Sequence, residues 1–188
     1  MLCVVAKALA GIQNAMIETK RLKLRQFVSS DQGSLNMLLG NTDVMKSSDH
    51  GTLITAEVGH WLGKQIECGA SKNGIELFAV ELRSTFRFIG YCGLSVFQDL
   101  DATTNIQIGY RLIPEFWGCG YATEAASAVR DYAFLELQLD GLVALIEPIN
   151  SRSVRVAEKI GMTFEREILL DGYDHPDYLY SLCNTTML

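Results

Sequence analysis

The sequence predicts a mixed α+β fold: one mainly antiparallel sheet with a single parallel pair, and helices packed against it. Three observations carry this. Short segments of period-two alternation recur along the chain, as half-buried strands require. Between them lie runs with apolar residues at 3/4 spacing, as amphipathic helices require. The order is strand, two helices, three strands, helix, strand, helix, two strands, and only residues 105–146 demand a crossover and hence a parallel pair.

Arg21 to Phe27 alternates polar and apolar side chains and reads as the first strand. Ser30 and Asp31 offer N-cap chemistry for a helix to about Leu39. Thr55 offers the same for a second helix, about 56–68, with Val58, Trp61, Leu62 and Ile66 on one face. After Gly74, Ile75–Leu82 and Phe86–Phe97 read as strands, the latter bent at Gly90 or Gly93. Asn105–Leu112 is a further strand, ended by Pro114. The next helix carries Ala122, Ala125, Ala126, Val129, Tyr132 and Ala133 at helical spacing. Leu142–Ile146 is a continuous apolar run, as a strand buried on both faces would be. Asn150 opens a helix to about Ile160, stopped by Gly161. Strands near Met162–Leu170 and Asp177–Asn184 follow, joined through a turn at Asp171-Gly172.

Composition bounds the function. A chain of 188 residues suits one domain. We expect that domain to span 16–188, with residues 1–15 either an extension or an early start before Met16. The first ten residues resemble a signal peptide only faintly: the basic leading segment is missing and Lys7 interrupts the apolar core. No apolar run is long enough to span a membrane. With 16 Lys+Arg against 22 Asp+Glu and no basic run, nucleic acid is not an expected partner. Five scattered cysteines, three scattered histidines and no C-x-x-C argue against a disulfide framework and a zinc site, so reduced thiols in a cytoplasmic protein and no metal are expected.

The segment most informative about chemistry is Trp117-Gly-Cys-Gly-Tyr-Ala122, two glycines between a strand and a helix N-terminus. Such a loop can aim backbone N–H groups at one anion, where the helix dipole also favours negative charge. It is not a P-loop, because no G-K-[ST] follows, nor a dinucleotide fingerprint, because Thr123 takes the third glycine's place. A plain structural turn would show the same local signal.

In its wider setting the loop resembles a known family. Ile108-Gly-Tyr-Arg-Leu-Ile-Pro-Glu-Phe-Trp-Gly-Cys-Gly-Tyr-Ala-Thr-Glu-Ala125 is similar to the acyl-coenzyme-A-binding motif of the GNAT N-acetyltransferase superfamily. Glu18–Arg25 resembles the family's first strand, Asn150–Gly161 its last core helix, and Leu170–Ser181 its closing hairpin, in the branch of the ribosomal-protein N-terminal alanine and serine acetyltransferases. The resemblance covers about 16–183 and implies seven strands and about four helices. It implies acetyl transfer from acetyl-CoA to a primary amine, a protein N-terminus or a small molecule, by a monomer or homodimer without a metal. The family loop reads Arg/Gln-x-x-Gly-x-Gly/Ala; here it is Trp117-x-x-Gly120-x-Ala122. The implied coenzyme site is therefore the backbone of Gly118, Cys119, Gly120, Tyr121, Ala122 and Thr123 for the diphosphate. The strand with Ile108 and Tyr110, together with Asn150, would hold the pantetheine.

The resemblance also implies catalytic positions. Many relatives carry Glu two residues before the Gly109-Tyr110 pair; here Gln107 stands there and cannot serve as a base near pH 7. A water chain or Glu167 would then take the amine proton, and Ser153 would protonate the departing thiolate. Ala157 stands where other relatives have an acidic Tyr. Simpler readings stand beside these: Asn150 and Ser153 as helix caps, Tyr110 and Tyr121 as packing residues, Trp61 and His60 as an acceptor wall or ordinary packing and surface. The alternative function is a catalytically weak acyl-CoA-binding sensor or scaffold, which Gln107 favours.

Overall fold

The computed structural model describes residues 16–48, 51–71, 74–98, 104–170 and 175–184. Among them the chain forms β1 (Ile17–Glu18), β2 (Leu22–Arg25), α1 (Gln32–Leu39), α2 (Thr42–Met45), α3 (Thr55–Ala70), β3 (Leu77–Leu82) and β4 (Phe88–Gln98). Then follow β5 (Thr104–Leu112), α4 (Tyr121–Leu135), β6 (Gly141–Ile146), α5 (Ser151–Lys159), β7 (Thr163–Ile168) and β8 (Asp177–Cys183). One sheet runs β1-β2-β3-β4-β5-β6-β8-β7, antiparallel throughout except for the β5/β6 pair. The mixed fold is thus as expected.

Among the described residues there are eight strands and five α-helices, against the expected seven and about four. The additional elements are β1, two residues long, and α2, four residues long; neither is long enough to show a period. Two caps differ from expectation. Asp31 does not open α1 from an extended cap. It closes a 3₁₀ turn over Ser29–Asp31, where its carboxylate accepts from the Val28 N–H at 2.9 Å. Ile54, not Thr55, caps α3, and Glu57 reaches back to accept the Ile54 N–H at 2.8 Å. The expected turn at Asp171-Gly172 and the readings on residues 1–15 lie outside the described residues.

Each face of the sheet buries its own core. Leu24, Phe78, Val80, Cys92, Ile106, Ile108, Leu142, Ala144 and Tyr180 meet Ala125, Ala126, Val129 and Ala133 of α4 and Ala157 of α5. On the other face Ala79, Phe88 and Tyr91 meet Leu35, Leu38 and Leu39 of α1 and Val58 and Leu62 of α3. The buried alanines let α4 lie close to the sheet. The bend expected in β4 is at Gly90: the β3/β4 register shifts beside it, and its φ is +146°. A Cβ there would lie 2.1 Å from the Arg111 carbonyl oxygen, so β4 and β5 approach each other as only glycine permits.

Candidate active site

The site begins where two parallel strands part. β5 shares nine register pairs with β4 but a single one, Gln107 with Val143, with β6. Past that pair β5 turns at Ile113 into a 3₁₀ turn over Pro114–Phe116, while β6 ends at Ile146 and passes through a tight turn to Asn150. Residues 108–112 therefore present every second N–H and C=O of β5 to an open slot.

At the slot's wide end the chain makes its glycine loop. Gly118 has φ +74° and Gly120 has φ +80°, the left-handed region that side chains with a Cβ avoid. Gly120 caps α4 without a side chain, so no side chain competes for the first-turn amides of Tyr121, Ala122 and Thr123. The loop is pinned from both flanks. Trp117 donates its indole N–H to the Leu112 carbonyl at 2.7 Å, and the Arg152 guanidinium stacks 5.0 Å from the Trp117 ring centroid. Arg21 donates to the Cys119 carbonyl at 3.0 Å and to Glu124 at 2.6 Å, and lies 4.4 Å from the centre of the Tyr121 ring. Glu124 also accepts from the Thr19 hydroxyl at 2.6 Å; although partial burial works against its charge, these bonds hold its carboxyl below the usual range. The Cys119 side chain is exposed.

The floor of the slot joins two predicted site residues. The Tyr110 hydroxyl lies 3.1 Å from Ser153 Oγ, linking β5 to the first turn of α5. Burial pushes the Tyr110 phenol up, so it keeps its proton at neutral pH. Asn150 is the α5 cap, accepting the Ser153 N–H through Oδ1 at 3.1 Å, a bond that does not use its amide NH₂.

The remaining positions are less convergent. Gln107 sits half-buried at the apex, on the face of Val143 and opposite the Ile106/Ile108 face. Glu167 is exposed on β7, the outermost strand. It pairs with Tyr178, whose ring lies on the α4/α5 face, so the structure does not bring Glu167 to Gln107. Trp61 is engaged in packing, 5.4 Å from the Phe27 ring and 5.3 Å from Tyr91, while His60 is exposed.

One group escaped the sequence reading. Glu147, next after β6, lies 4.0 Å from His175 Nε2, and Asp177 lies 3.6 Å from His175 Nδ1. Asp177 opens β8 opposite Ile168, placing it on the face of Val143 and Gln107. A Glu ending an apolar run three residues before Asn150 was a usable signal, but the β6/β8 register alone joins it to His175 and Asp177. Among the described residues no His/Cys/Asp/Glu group suits a metal ion.

Comparison with known proteins agrees with this geometry. The sequence profile of the Acetyltransferase (GNAT) domain family matches residues 21–163. Uncharacterized protein YkkB of Bacillus subtilis (strain 168) is 37% identical over 150 residues, covering 80% of this chain and 86% of that one. Uncharacterized N-acetyltransferase YnaD of the same organism is 32% identical over 149 residues, covering 79% and 83%. A crystal structure of a GNAT-family acetyltransferase from Bacillus anthracis superposes with a TM-score of 0.78 at 28% identity, covering 90% of this chain and 99% of that one. With a profile match across most of the sheet and a relative of this identity, the chain belongs to the GNAT acetyltransferase family, the acetyl-CoA-dependent N-acetyltransferases.

Proposed function

We propose that residues 16–188 act as one catalytic domain that transfers acetyl from acetyl-CoA to a primary amine, a protein N-terminal α-amine or a small-molecule amine, by direct attack in the β5/β6 slot. The observation that carries this reading is the parting of β5 from β6 after one register pair, with the glycine loop at the wide end. The diphosphate lies on the amides of Gly118–Thr123. The pantetheine extends along Ile108–Leu112, its amides replacing the missing strand partner, with the Asn150 NH₂ on one of its carbonyls. The neutral amine nitrogen attacks the acetyl carbon, the C–S bond breaks, and the amine loses one proton while the departing sulfur gains one. Ser153 supplies the proton to sulfur and Tyr110 orients its hydroxyl, which the 3.1 Å contact supports. On the acceptor face Glu147 takes the amine proton in place of a carboxylate at position 107. Its position at the end of β6 and the buried Oε2, without a hydrogen-bond partner among the described residues, support this. The same acidic rim suits a cationic acceptor.

The test is thiol release from acetyl-CoA against a panel of amines: peptides with free α-amines, polyamines and aminoglycosides. We expect release with at least one amine, an N-acetylated product by mass, and a fall of about 10-fold or more in kcat for Ser153→Ala. Tight CoA binding with no release against any amine would leave a binding protein and retire the catalytic reading.

A further inference from the structure

On the face of β5 turned away from α4, one guanidinium lacks the partner that its setting demands. Gln107, Gly109 and Arg111 alternate onto this face, opposite Ile108 and Tyr110. Arg111 is half-buried and stands in register with Tyr91, to whose hydroxyl it donates at 3.0 Å. Burial pushes the Tyr91 phenol up, although Arg111 works against this, so the acceptor stays neutral. Arg111 forms no ion pair among the described residues, in a chain with 22 Asp+Glu against 16 Lys+Arg. Arg25, half-buried on the same face of the sheet, is by contrast held by both Asp31 and Glu81. A half-buried guanidinium with one neutral acceptor calls for an anion. The space beside it is open, since a Cβ on Gly109 would meet nothing within 4 Å. It also faces a carboxylate. Counted from the one β5/β6 register pair, Gln107 with Val143, Arg111 and Glu147 lie equally far along their chains, so they stand level on the two banks of the slot. They do not pair with each other.

We propose that Arg111 binds a carboxylate carried by the amine acceptor, which makes the acceptor an amino acid or a similar small amino-carboxylate. The inference rests on the transfer reaction above and names its substrate class. The ammonium end of such a molecule meets Glu147, and its carboxylate meets the guanidinium, whose planar fork matches two carboxylate oxygens. The open space over Gly109 receives the body of the molecule. Opposite charges facing each other across a gap suit a ligand that carries both signs. A polyamine offers Arg111 only repulsion, and a neutral peptide N-terminus leaves it unpaired.

Thiol release from acetyl-CoA with the common L-amino acids and their matching carboxamides tests this on the wild type, Arg111→Gln and Arg111→Lys. Acid and amide differ in the pKa of the amine, but equally for every variant. The change in the acid-over-amide ratio of kcat/KM therefore isolates the contact. At least one amino acid should be acetylated, and Arg111→Gln should lower that ratio about 10-fold or more, mainly through the KM of the acid. Arg111→Lys keeps the charge without the fork and should recover part of it. Should Arg111→Gln not melt cooperatively, Arg111→Lys carries the comparison, with a fall of about threefold. Equal losses for acid and amide would make Arg111 a structural partner of Tyr91, and a loss confined to CoA affinity would place it with the coenzyme. Acetylation of polyamines or peptides but of no amino acid would overturn the proposal and leave the transfer reaction in place. If no amine releases thiol, the transfer reading falls, and calorimetry of amino acids against CoA-loaded protein decides Arg111. Binding weakened by Arg111→Gln would uphold its role; no binding would end it.

Discussion

Gly120 shows how one residue type shapes a helix start through backbone alone. Its φ of +80° turns the chain so that it caps α4 with no side chain in the way of the first amides. Its would-be Cβ meets only the Arg21 side chain, at 3.5 Å, so the constraint is conformational rather than spatial. Gly120→Val should abolish CoA binding by calorimetry while the far-UV circular dichroism and the cooperative melt persist; unchanged affinity in a folded variant would remove the diphosphate from this loop. Gln107 poses the complementary question of proton transfer. Glu147→Gln should lower kcat about 10²-fold at neutral pH and leave the KM for acetyl-CoA unchanged. Gln107→Glu should restore part of that loss in the Glu147→Gln background. A kcat indifferent to Glu147→Gln would return the proton to a water chain.

At the scale of elements, the slot depends on how β4 and β5 meet on its far side. The Gly90 Cβ position is 2.1 Å from the Arg111 oxygen and 2.8 Å from the Leu112 Cα, both backbone atoms that cannot swing aside. Gly90→Ala should therefore cost about 3 kcal/mol or more, seen as a lowered denaturant midpoint, and should weaken CoA binding by displacing the end of β5. Gly109→Ala is the control on the neighbouring strand β5, since its Cβ would meet nothing within 4 Å. Its stability should stay within about 0.5 kcal/mol of wild type. Equal losses in the two variants would mean that strand propensity, not close approach, governs this sheet.

The molecule as a whole carries a buried acid that its fold does not fully satisfy. Glu76 is 4% exposed, accepts one long bond of 3.3 Å from Gln26, and has an Oε2 with no partner among the described residues. Burial pushes its carboxyl up, the Gln26 bond offsetting only part of this. The nearby Tyr132 phenol, also buried, is pushed up to about 12. Because the folded value exceeds the unfolded one, stability from Glu76 is fully present below about pH 4.5 and is lost as pH rises through the folded value. Glu76→Gln should consequently raise the melting temperature at pH 7 by about 3 °C for each ~1 kcal/mol recovered. The gap to wild type should close in scans below about pH 4.5; a gap that does not change with pH would assign the effect to packing.

The order of elements, the β4 bend and the glycine loop before α4 were legible in the sequence because each has a local cause. Alternation in 105–112, alanines at helical spacing from 122 to 133, and glycines where φ must be positive are properties of neighbours along the chain. The short elements β1 and α2 were not legible, being too short for a period, and the caps of α1 and α3 turned on acidic residues reaching backwards. What only the tertiary structure decided is who meets whom. Tyr110 reaches Ser153 across 43 positions, Arg21 clasps a loop 98 positions away, and Glu147 finds His175 through the β6/β8 register. Glu167 missed the slot because its strand was placed outermost, two strands beyond the opening. The physical reason is common to all four: pattern along a chain sets which face a side chain takes, but strand order and register, set by burial of the whole sheet, decide which faces come together.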